Sequence, residues 1–304
     1  MNNVIVRALS GAVYVALIVV CTMAGGWCFF GLTVLFAAIG LNEYQNLTAE
    51  REHARQPWTI RAIDMTTALL MLCMAATIAA TVNRTGIFYP GKVLTVALCG
   101  FMLLAACLSV RLCLSLGRQH GDAVSSCASS LMGTLYIALP LSMLCAAGML
   151  TPEVSGSCST GGCPFAGSGV FRNAILTMFI LIWLNDTGAF CTGVLFGKHR
   201  LCERLSPKKS WEGFWGGFVC CLIAGALLAG WAGMPAWWTG ALYGACVSVL
   251  ATWGDLFESQ LKRTAGVKDS GSIIPGHGGV LDRIDSLLFV APAAVIFMIL
   301  ATFL

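Results

Sequence analysis

Charged side chains are scarce in this sequence: Asp, Glu, Lys and Arg make up only 11% of the 304 residues, whereas hydrophobic residues make up 58%. An ordinary soluble domain carries about 25% charged residues, so too little polar sequence is present to cover two soluble domains. Disordered chains are poor in apolar residues, so the high apolar content of this sequence excludes a disordered chain. A formal net charge of +4 is too weak to indicate a nucleic-acid-binding protein. The composition predicts a polytopic membrane protein.

Familiar metal, redox and nucleotide motifs are also missing. The chain has four histidines and 15 cysteines, but no CxxC pair and no Cys/His spacing typical of a zinc site. Most cysteines lie in apolar runs, where they behave as small hydrophobic residues. Cys158 and Cys163 lie in a polar loop and would form a local disulfide if that loop faces an oxidising compartment. The segment 193–199 has Gly and Lys residues without the spacing of a Walker loop.

Long apolar stretches, by contrast, are abundant. Crossing a hydrocarbon core takes about 17–25 apolar residues, and nine such stretches occur at 8–25, 27–44, 66–83, 91–110, 126–150, 173–197, 214–236, 237–257 and 286–304. The first stretch resembles a signal peptide, but the second follows almost at once, which favours a membrane hairpin. The sequence therefore predicts an all-α, polytopic integral membrane protein with about nine transmembrane helices.

The positions of the cations predict the topology. Of the 18 Lys and Arg residues, 15 lie at the N-terminus or in the connections after the second, fourth, sixth and eighth spans. Because cytosolic loops are enriched in cations, we expect a cytosolic N-terminus and a C-terminus on the outside. We divide the chain into an N-terminal region of about five spans, 1–172, and a C-terminal region, 173–304, with cytosolic loops at 198–213 and 259–285.

One predicted span carries small residues at every fourth position: Gly213, Gly217, Cys221, Gly225, Ala229 and Gly233. Small residues at this spacing allow two helix backbones to approach closely. The stripe predicts packing against other helices of the same subunit, and a homodimer interface is the alternative.

The predicted spans contain four charged residues, namely Glu43, Lys92, Asp186 and Asp255. Glu43 and Lys92 lie within two residues of a span end, so we expect them to reach the membrane interface. Asp186 lies near the middle of its span, where a carboxylate is costly and usually faces a partner or a polar cavity. The alternative is a buried Asp186 that Asn185 or a neighbouring helix satisfies.

Polar chemistry is concentrated in the last 40% of the chain. If the eighth span continues as a helix, Asp255, Ser259 and Lys262 share one face, and Asp282 and Asp285 share a face at the start of the ninth. Between them, residues 268–279 are rich in Gly and Ser, which lets backbone N–H groups approach a phosphate. Residues 206–213 add a second basic, hydroxyl-rich segment. This combination suits a phosphate ester held by Mg²⁺ or Mn²⁺.

The segment from Ser259 to Asp285 resembles the complete signature of the phosphatidate cytidylyltransferases, also called CDP-diacylglycerol synthases. The fixed positions Ser259, Leu261–Arg263, Lys268–Asp269, Gly271, Ile274–Pro275, His277–Val280 and Asp282–Asp285 all match. The resemblance extends upstream through 185–189 and 206–213. It implies a Mg²⁺-dependent transfer of CMP from CTP to phosphatidate in a membrane, and no nucleic-acid partner.

The resemblance also implies roles for individual residues. It makes Asp255 and Asp282 the metal-binding pair. The residues themselves make Asp186, Asp269 and Asp285 candidates to bind a second cation or to orient the basic residues. The expected phosphate-binding cations are Lys208, Lys209, Lys262, Arg263, Lys268 and Arg283. Ser206, Ser259, Gly278 and Gly279 are expected phosphate contacts, and His277 is expected to contact phosphate or ribose or to shape the loop. A bacterial cytoplasmic membrane is the expected location.

Two rival functions remain open. A CTP-dependent lipid kinase of the dolichol-kinase type would release CDP instead of pyrophosphate. An ion-coupled secondary transporter would use Asp186 as a cation site, although the sequence has no repeat on the scale of several spans.

Overall fold

The computed structural model describes residues 2–51, 57–85, 90–116, 123–150, 170–271, 273 and 278–301. These residues form the helices α1 (Asn2–Ala24), α2 (Gly26–Arg51), α3 (Trp58–Thr85), α4 (Pro90–Leu116), α5 (Ala123–Gly133), α6 (Leu139–Met149), α7 (Val170–Phe196), α8 (Trp211–Leu228), α9 (Trp237–Thr264) and α10 (Leu281–Ala301). A π-helical turn, Thr134–Ala138, joins α5 to α6. A short antiparallel hairpin of β1 (Arg200–Cys202) and β2 (Ser206–Ser210) lies between α7 and α8.

The helices have the length and composition of membrane spans. Within the described part of the chain, eight spans are long and apolar enough to cross a membrane, and residues Leu9–Ala24 of α1 form a shorter apolar helix. Many of their large apolar side chains are exposed, for example Leu94, Phe101 and Met102 of α4. Such a surface requires an apolar surrounding. The prediction of an all-α, polytopic membrane protein is confirmed, and the short hairpin is an addition to it.

The described residues divide into two compact units. The first contains α1 to α6 together with the described part of Thr264–Arg283. The second contains α7, the hairpin, α8 and α9 up to Arg263, and α10 from Ile284 onward. The predicted domain division at 172/173 and the predicted orientation of the termini stay predictions. Cys158 and Cys163 lie outside the described residues.

Buried polar side chains connect the helices of the first unit. Arg111 of α4 is 3% exposed, and its guanidinium lies 3.3 Å from a carboxylate oxygen of Asp64 on α3. The same guanidinium donates to Ser126 and Ser130 of α5, and the Ser130 hydroxyl donates to Asp64 over 2.8 Å. Burying a charge is tolerated when it is paired and hydrogen-bonded. These contacts therefore fix α3, α4 and α5 relative to one another.

Glycine contacts determine how closely the helices of the second unit approach. A Cβ atom at Gly217 of α8 would lie 2.8 Å from the Asn185 carbonyl oxygen of α7, and one at Gly244 of α9 would collide with the Cys221 carbonyl of α8. Gly213, Gly217, Cys221 and Gly225 are all buried. The small-residue stripe of α8 therefore packs against helices of the same chain, as predicted. A homodimer stays a prediction.

The charged residues of the spans differ in their surroundings. Glu43 is enclosed by protein, with a side chain only 2% exposed, and its expected position at the membrane interface stays a prediction. For Asp186, the alternative of a buried side chain is wrong: Asp186 is exposed, whereas Asn185 is buried and accepts a hydrogen bond of 2.6 Å from Ser248 of α9. The side chain of Lys92 lies outside the described part of the chain.

Candidate active site

A cleft of about 580 Å³ lies in the second unit, with walls from α7, the hairpin, α8 and α9. Its polar lining combines cations, carboxylates and neutral polar side chains: Asn185, Asp186, Arg200, Ser206, Lys208, Lys209, Ser210, Thr252 and Asp255. A cavity of this size suits a small-molecule ligand. The mixture of charges suits a polyanion that carries a divalent cation.

The hairpin and the beginning of α8 position the cations of the cleft. Ser210 is the N-cap of α8, and its hydroxyl accepts a hydrogen bond of 3.1 Å from the Gly213 N–H. Glu212 accepts hydrogen bonds of 3.2 Å from the His199 N–H and lies 2.7 Å from the His199 Nδ1 atom. These contacts fasten both ends of the hairpin to the helix. The positive end of the α8 dipole therefore borders the cleft, where it favours an anion.

An ion pair joins the hairpin to α9 inside the cleft. The Lys209 ammonium contacts the Asp255 carboxylate, and the side chains are 26% and 37% exposed. One helical turn later, the Ser259 hydroxyl lies 3.5 Å from the other oxygen of Asp255. The prediction that the helix continues through Ser259 and Lys262 is confirmed, because α9 ends at Thr264.

Three carboxylates of the second unit interact electrostatically. Asp285 of α10 is 8% exposed, and both Asp255 and Asp186 act on it as like charges. Gly254 allows this approach, because a Cβ atom there would lie 2.7 Å from the Asp285 carbonyl oxygen. Like charges repel one another unless a cation neutralises them. The arrangement therefore attracts positive charge.

These residues fit Mg²⁺ in the chemistry of their donors. Asp186, Asp255 and Asp285 offer the hard oxygen ligands that Mg²⁺ prefers. Asp255 already binds one positively charged group, the Lys209 ammonium. No group of three or more His, Cys, Asp or Glu side chains able to hold a metal ion occurs in the described segments. Mg²⁺ usually takes one or two carboxylates and completes its shell with waters and substrate phosphates. An incomplete protein shell is therefore compatible with it.

The remaining cations of α9 lie at its end. Lys262 forms an ion pair with Glu258, which is 1% exposed, and Lys262 also acts electrostatically on Asp285. Arg263 is exposed. Lys262 thus lies among the carboxylates of the second unit, as its contact with Glu258 shows.

The signature loop belongs to the first unit. Asp282 accepts hydrogen bonds on one oxygen from the Ser270 N–H over 3.0 Å, the Ser270 hydroxyl over 3.0 Å and the Gly279 N–H over 2.8 Å. Gly278 has a φ of 82°, a conformation that favours glycine. The loop is thus folded around the Asp282 carboxylate.

Other residues of the loop face outward or lie outside the described segments. Lys268, Asp269 and Arg283 are exposed, and the Arg283 carbonyl accepts a hydrogen bond of 3.0 Å from the Tyr14 hydroxyl. His277 lies outside the described residues.

The structure thus brings together one group of the predicted residues in the cleft of the second unit: Asp186, Ser206, Lys208, Lys209 and Asp255. Ser259, Lys262 and Asp285 belong to the same unit, whereas Asp282, Gly278 and Gly279 belong to the first. The pairing of Asp255 with Asp282 around one metal stays a prediction, as do the individual roles.

Arg200 is a cleft residue that sequence reasoning missed. It lies opposite Ser210 in the hairpin and lines the cleft. Strands of three and five residues carry too little periodicity to be recognised beforehand. The sequence could have indicated Arg200 by its position in the same basic connection as Lys208 and Lys209.

The known proteins that this chain resembles in sequence are cytidylyltransferases. The model of the cytidylyltransferase family matches residues 5–301. A phosphatidate cytidylyltransferase of Synechocystis sp. is 34% identical over 304 aligned residues, 97% of this chain and 96% of the relative. The phosphatidate cytidylyltransferase of Mycobacterium bovis is 38% identical over 58% of this chain and 52% of the relative. That of Staphylococcus saprophyticus is 46% identical over 41% of this chain and 48% of the relative. The chain belongs to the cytidylyltransferase family.

Proposed function

We propose that this protein transfers CMP from CTP to phosphatidate, forming CDP-diacylglycerol and pyrophosphate. The observation that carries the proposal is the cleft in which Lys209 and Asp255 form an ion pair beside Arg200, Lys208 and Asp186. Such a cleft supplies both the positive charge for a triphosphate and the carboxylates for its cation. The family membership and the names of the relatives support the same reaction.

The reaction needs no strong general base. A phosphate monoester has a second pKa near ~6, so the phosphatidate headgroup is largely dianionic at neutral pH. One of its oxygens attacks the α-phosphorus of CTP, and the bond from that phosphorus to the bridging oxygen of the β-phosphate breaks. The electron pair of the broken bond leaves with pyrophosphate. The obstacle is the repulsion between two polyanions, which the protein has to neutralise.

The cations of the cleft perform this neutralisation. Lys209, Lys208 and Arg200 bind the triphosphate, and the N-terminus of α8 adds its dipole. Positive groups that meet the growing charge of the leaving pyrophosphate stabilise the transition state more than the ground state. Lys262, which forms an ion pair with Glu258, is a further proposed phosphate-binding cation on α9.

The carboxylates would hold the divalent cation. Asp255 and Asp282 are its proposed protein ligands, and Asp186, Asp269 and Asp285 would bind a second cation or orient the basic side chains. When bound, Mg²⁺ supplies charge neutralisation and fixes the orientation of the phosphates. Lys209 contacts Asp255, so its ammonium lies beside the carboxylate that would hold the cation.

The proposed location follows from the substrates. CTP is water-soluble and phosphatidate is a membrane lipid, so the cleft and the signature loop face the cytosol at the membrane surface. The N-terminus then lies in the cytosol and the C-terminus outside, in agreement with the cation distribution. Because the relatives named above are bacterial, we place the protein in the bacterial cytoplasmic membrane.

Product analysis tests this function. The purified protein is incubated with CTP, phosphatidate and Mg²⁺, and the lipid and water-soluble products are identified by mass spectrometry. We expect CDP-diacylglycerol and pyrophosphate in equal amounts. A phosphorylated lipid with CDP would instead indicate a lipid kinase, and an absence of CTP consumption would contradict both.

A further inference from the structure

A glutamate of α2 holds the beginning of α10 from a position 237 residues away in the sequence. Glu43 is 2% exposed, and its carboxylate contacts the signature loop within the first unit. We propose that Glu43 is a positioning residue that sets the place of the Asp282 carboxylate. This inference rests on the proposed function for its effect on CMP transfer, but its structural part can be tested separately.

The Glu43 carboxylate caps a helix. It accepts a hydrogen bond of 3.0 Å from the Val280 N–H on one oxygen and one of 2.8 Å from the Leu281 N–H on the other. The first N–H groups of a helix have no partner within the helix, and the helix dipole favours a negative charge there. Glu43 therefore fixes both the position and the direction of the first turn of α10, which carries Asp282.

Ser270 links Glu43 to Asp282. Its hydroxyl oxygen lies 3.2 Å from Oε2 of Glu43 and 3.0 Å from Oδ2 of Asp282. The Ser270 N–H also donates to the same Asp282 oxygen over 3.0 Å. One hydroxyl group thus contacts both carboxylates, so a displacement of Glu43 is transmitted directly to Asp282.

Two glycines of the loop lie directly against this carboxylate. A Cβ atom at Gly271 would lie 2.6 Å from Oε1 of Glu43, and one at Gly279 would lie 2.5 Å from Oε2. Real Cβ contacts are not this short. Two glycines of the signature therefore fit the Glu43 carboxylate, which indicates a specific contact between α2 and the loop.

The substitution Glu43→Gln keeps the shape of the side chain but changes its hydrogen bonding. The Val280 and Leu281 N–H groups donate to different oxygens of Glu43, and an amide has one acceptor oxygen and one donor NH₂ group, so one of these N–H groups would face a donor. The amide also removes the negative charge from the helix N-terminus. Residues that orient a metal ligand typically affect metal affinity or activity by about 10–100-fold when changed.

Hydrogen exchange of the metal-free protein is the first test, because it does not depend on activity. We expect the Val280 and Leu281 amides to exchange at least about tenfold faster in Glu43→Gln than in the wild type. The matched control is Gln45→Leu, which removes a buried polar side chain of the same helix that contacts Arg61 instead of the loop. Unchanged exchange at these two amides would overturn the proposal, as would an equal effect of Gln45→Leu.

Kinetics provide the second test. For Glu43→Gln we expect kcat for CMP transfer to fall about 10–100-fold and the Mg²⁺ concentration for half-maximal activity to rise, with the KM for phosphatidate within about twofold. Gln45→Leu should retain wild-type values. A kcat of Glu43→Gln within twofold of the wild type would refute the positioning role. A wild-type protein without CMP transfer would instead refute the proposed function, and the exchange experiment would still decide the structural part.

Ser270→Ala covers the case in which Glu43→Gln does not fold. This change removes the hydroxyl link but leaves both backbone hydrogen bonds to Glu43. We expect normal exchange at Val280 and Leu281 together with about a tenfold loss of kcat, the size of one hydrogen bond to a charged group. Unchanged kcat in Ser270→Ala would refute transmission from Glu43 to Asp282.

Discussion

Replacing Lys209 by Gln tests whether the Lys209 ammonium acts in catalysis or only stabilises the fold. The ion pair with Asp255 is partly exposed, at 26% for Lys209 and 37% for Asp255, so solvent screens it. Such a pair contributes at most about 1 kcal/mol to the free energy of unfolding. A group that meets the charge developing in a transition state is worth about 2.7–4 kcal/mol, or about 10²–10³-fold in kcat. We therefore expect a large loss of kcat with little loss of stability.

The assay compares steady-state CMP transfer with thermal unfolding of the same detergent-purified samples. Lys198→Gln is the matched control, because Lys198 is an exposed cation of the same connection that lines an open depression beside the cleft but not the cleft itself. It makes the same change in net charge outside the cleft. Lys209→Arg should recover part of the activity, since it restores the charge with a different geometry.

Three results would refute this reasoning about Lys209. The first is a kcat within threefold of the wild type in Lys209→Gln. The second is an equal loss in Lys198→Gln, which would indicate a general effect of net charge. The third is a loss of activity that merely follows a lower Tm, which would make Lys209 a structural residue.

Three further predictions concern the signature loop, the helix packing and the metal. Asp282→Asn should abolish CMP transfer while the protein remains folded in membranes, and near-normal turnover would contradict its role as a metal ligand. Gly244→Ala should lower the free energy of unfolding by about 1–3 kcal/mol, because the new methyl group would collide with the Cys221 carbonyl. Gly230→Ala is the control, since a Cβ atom there meets no atom within 4 Å, and equal Tm values for the two variants would contradict the packing argument. Chelation with EDTA should eliminate CMP transfer, and excess Mg²⁺ should restore it; activity that persists after exhaustive chelation would contradict metal dependence.

The membrane architecture was predictable because it depends on local sequence. Each span is a continuous apolar stretch, and every predicted stretch overlaps a helix, with ends that differ by up to eight residues. One difference involves the candidate site: α10 begins at Leu281 instead of 286. The helix extends into polar residues because Glu43 satisfies its first N–H groups. A contact of this kind leaves no local pattern.

The candidate site was predictable only in part for the same reason. Asp255, Ser259 and Lys262 share a helix face, so their spacing alone indicated their proximity. The link between Lys209 and Asp255 depends on a hairpin of very short strands, and the link between Glu43 and Ser270 crosses 227 residues. Its position near the end of a span suggested that Glu43 reaches the membrane interface. The sequence around Glu43 does not indicate the loop glycines against which its carboxylate packs.

The direction of attack is the central claim, and isotope labelling tests it most directly. Phosphatidate that carries oxygen-18 in its non-bridging phosphate oxygens is converted with unlabelled CTP and Mg²⁺, and both products are analysed by mass spectrometry. If a lipid phosphate oxygen attacks the α-phosphorus, CDP-diacylglycerol retains every labelled oxygen and pyrophosphate contains none. Label in pyrophosphate, or release of CDP with a phosphorylated lipid, would contradict the account.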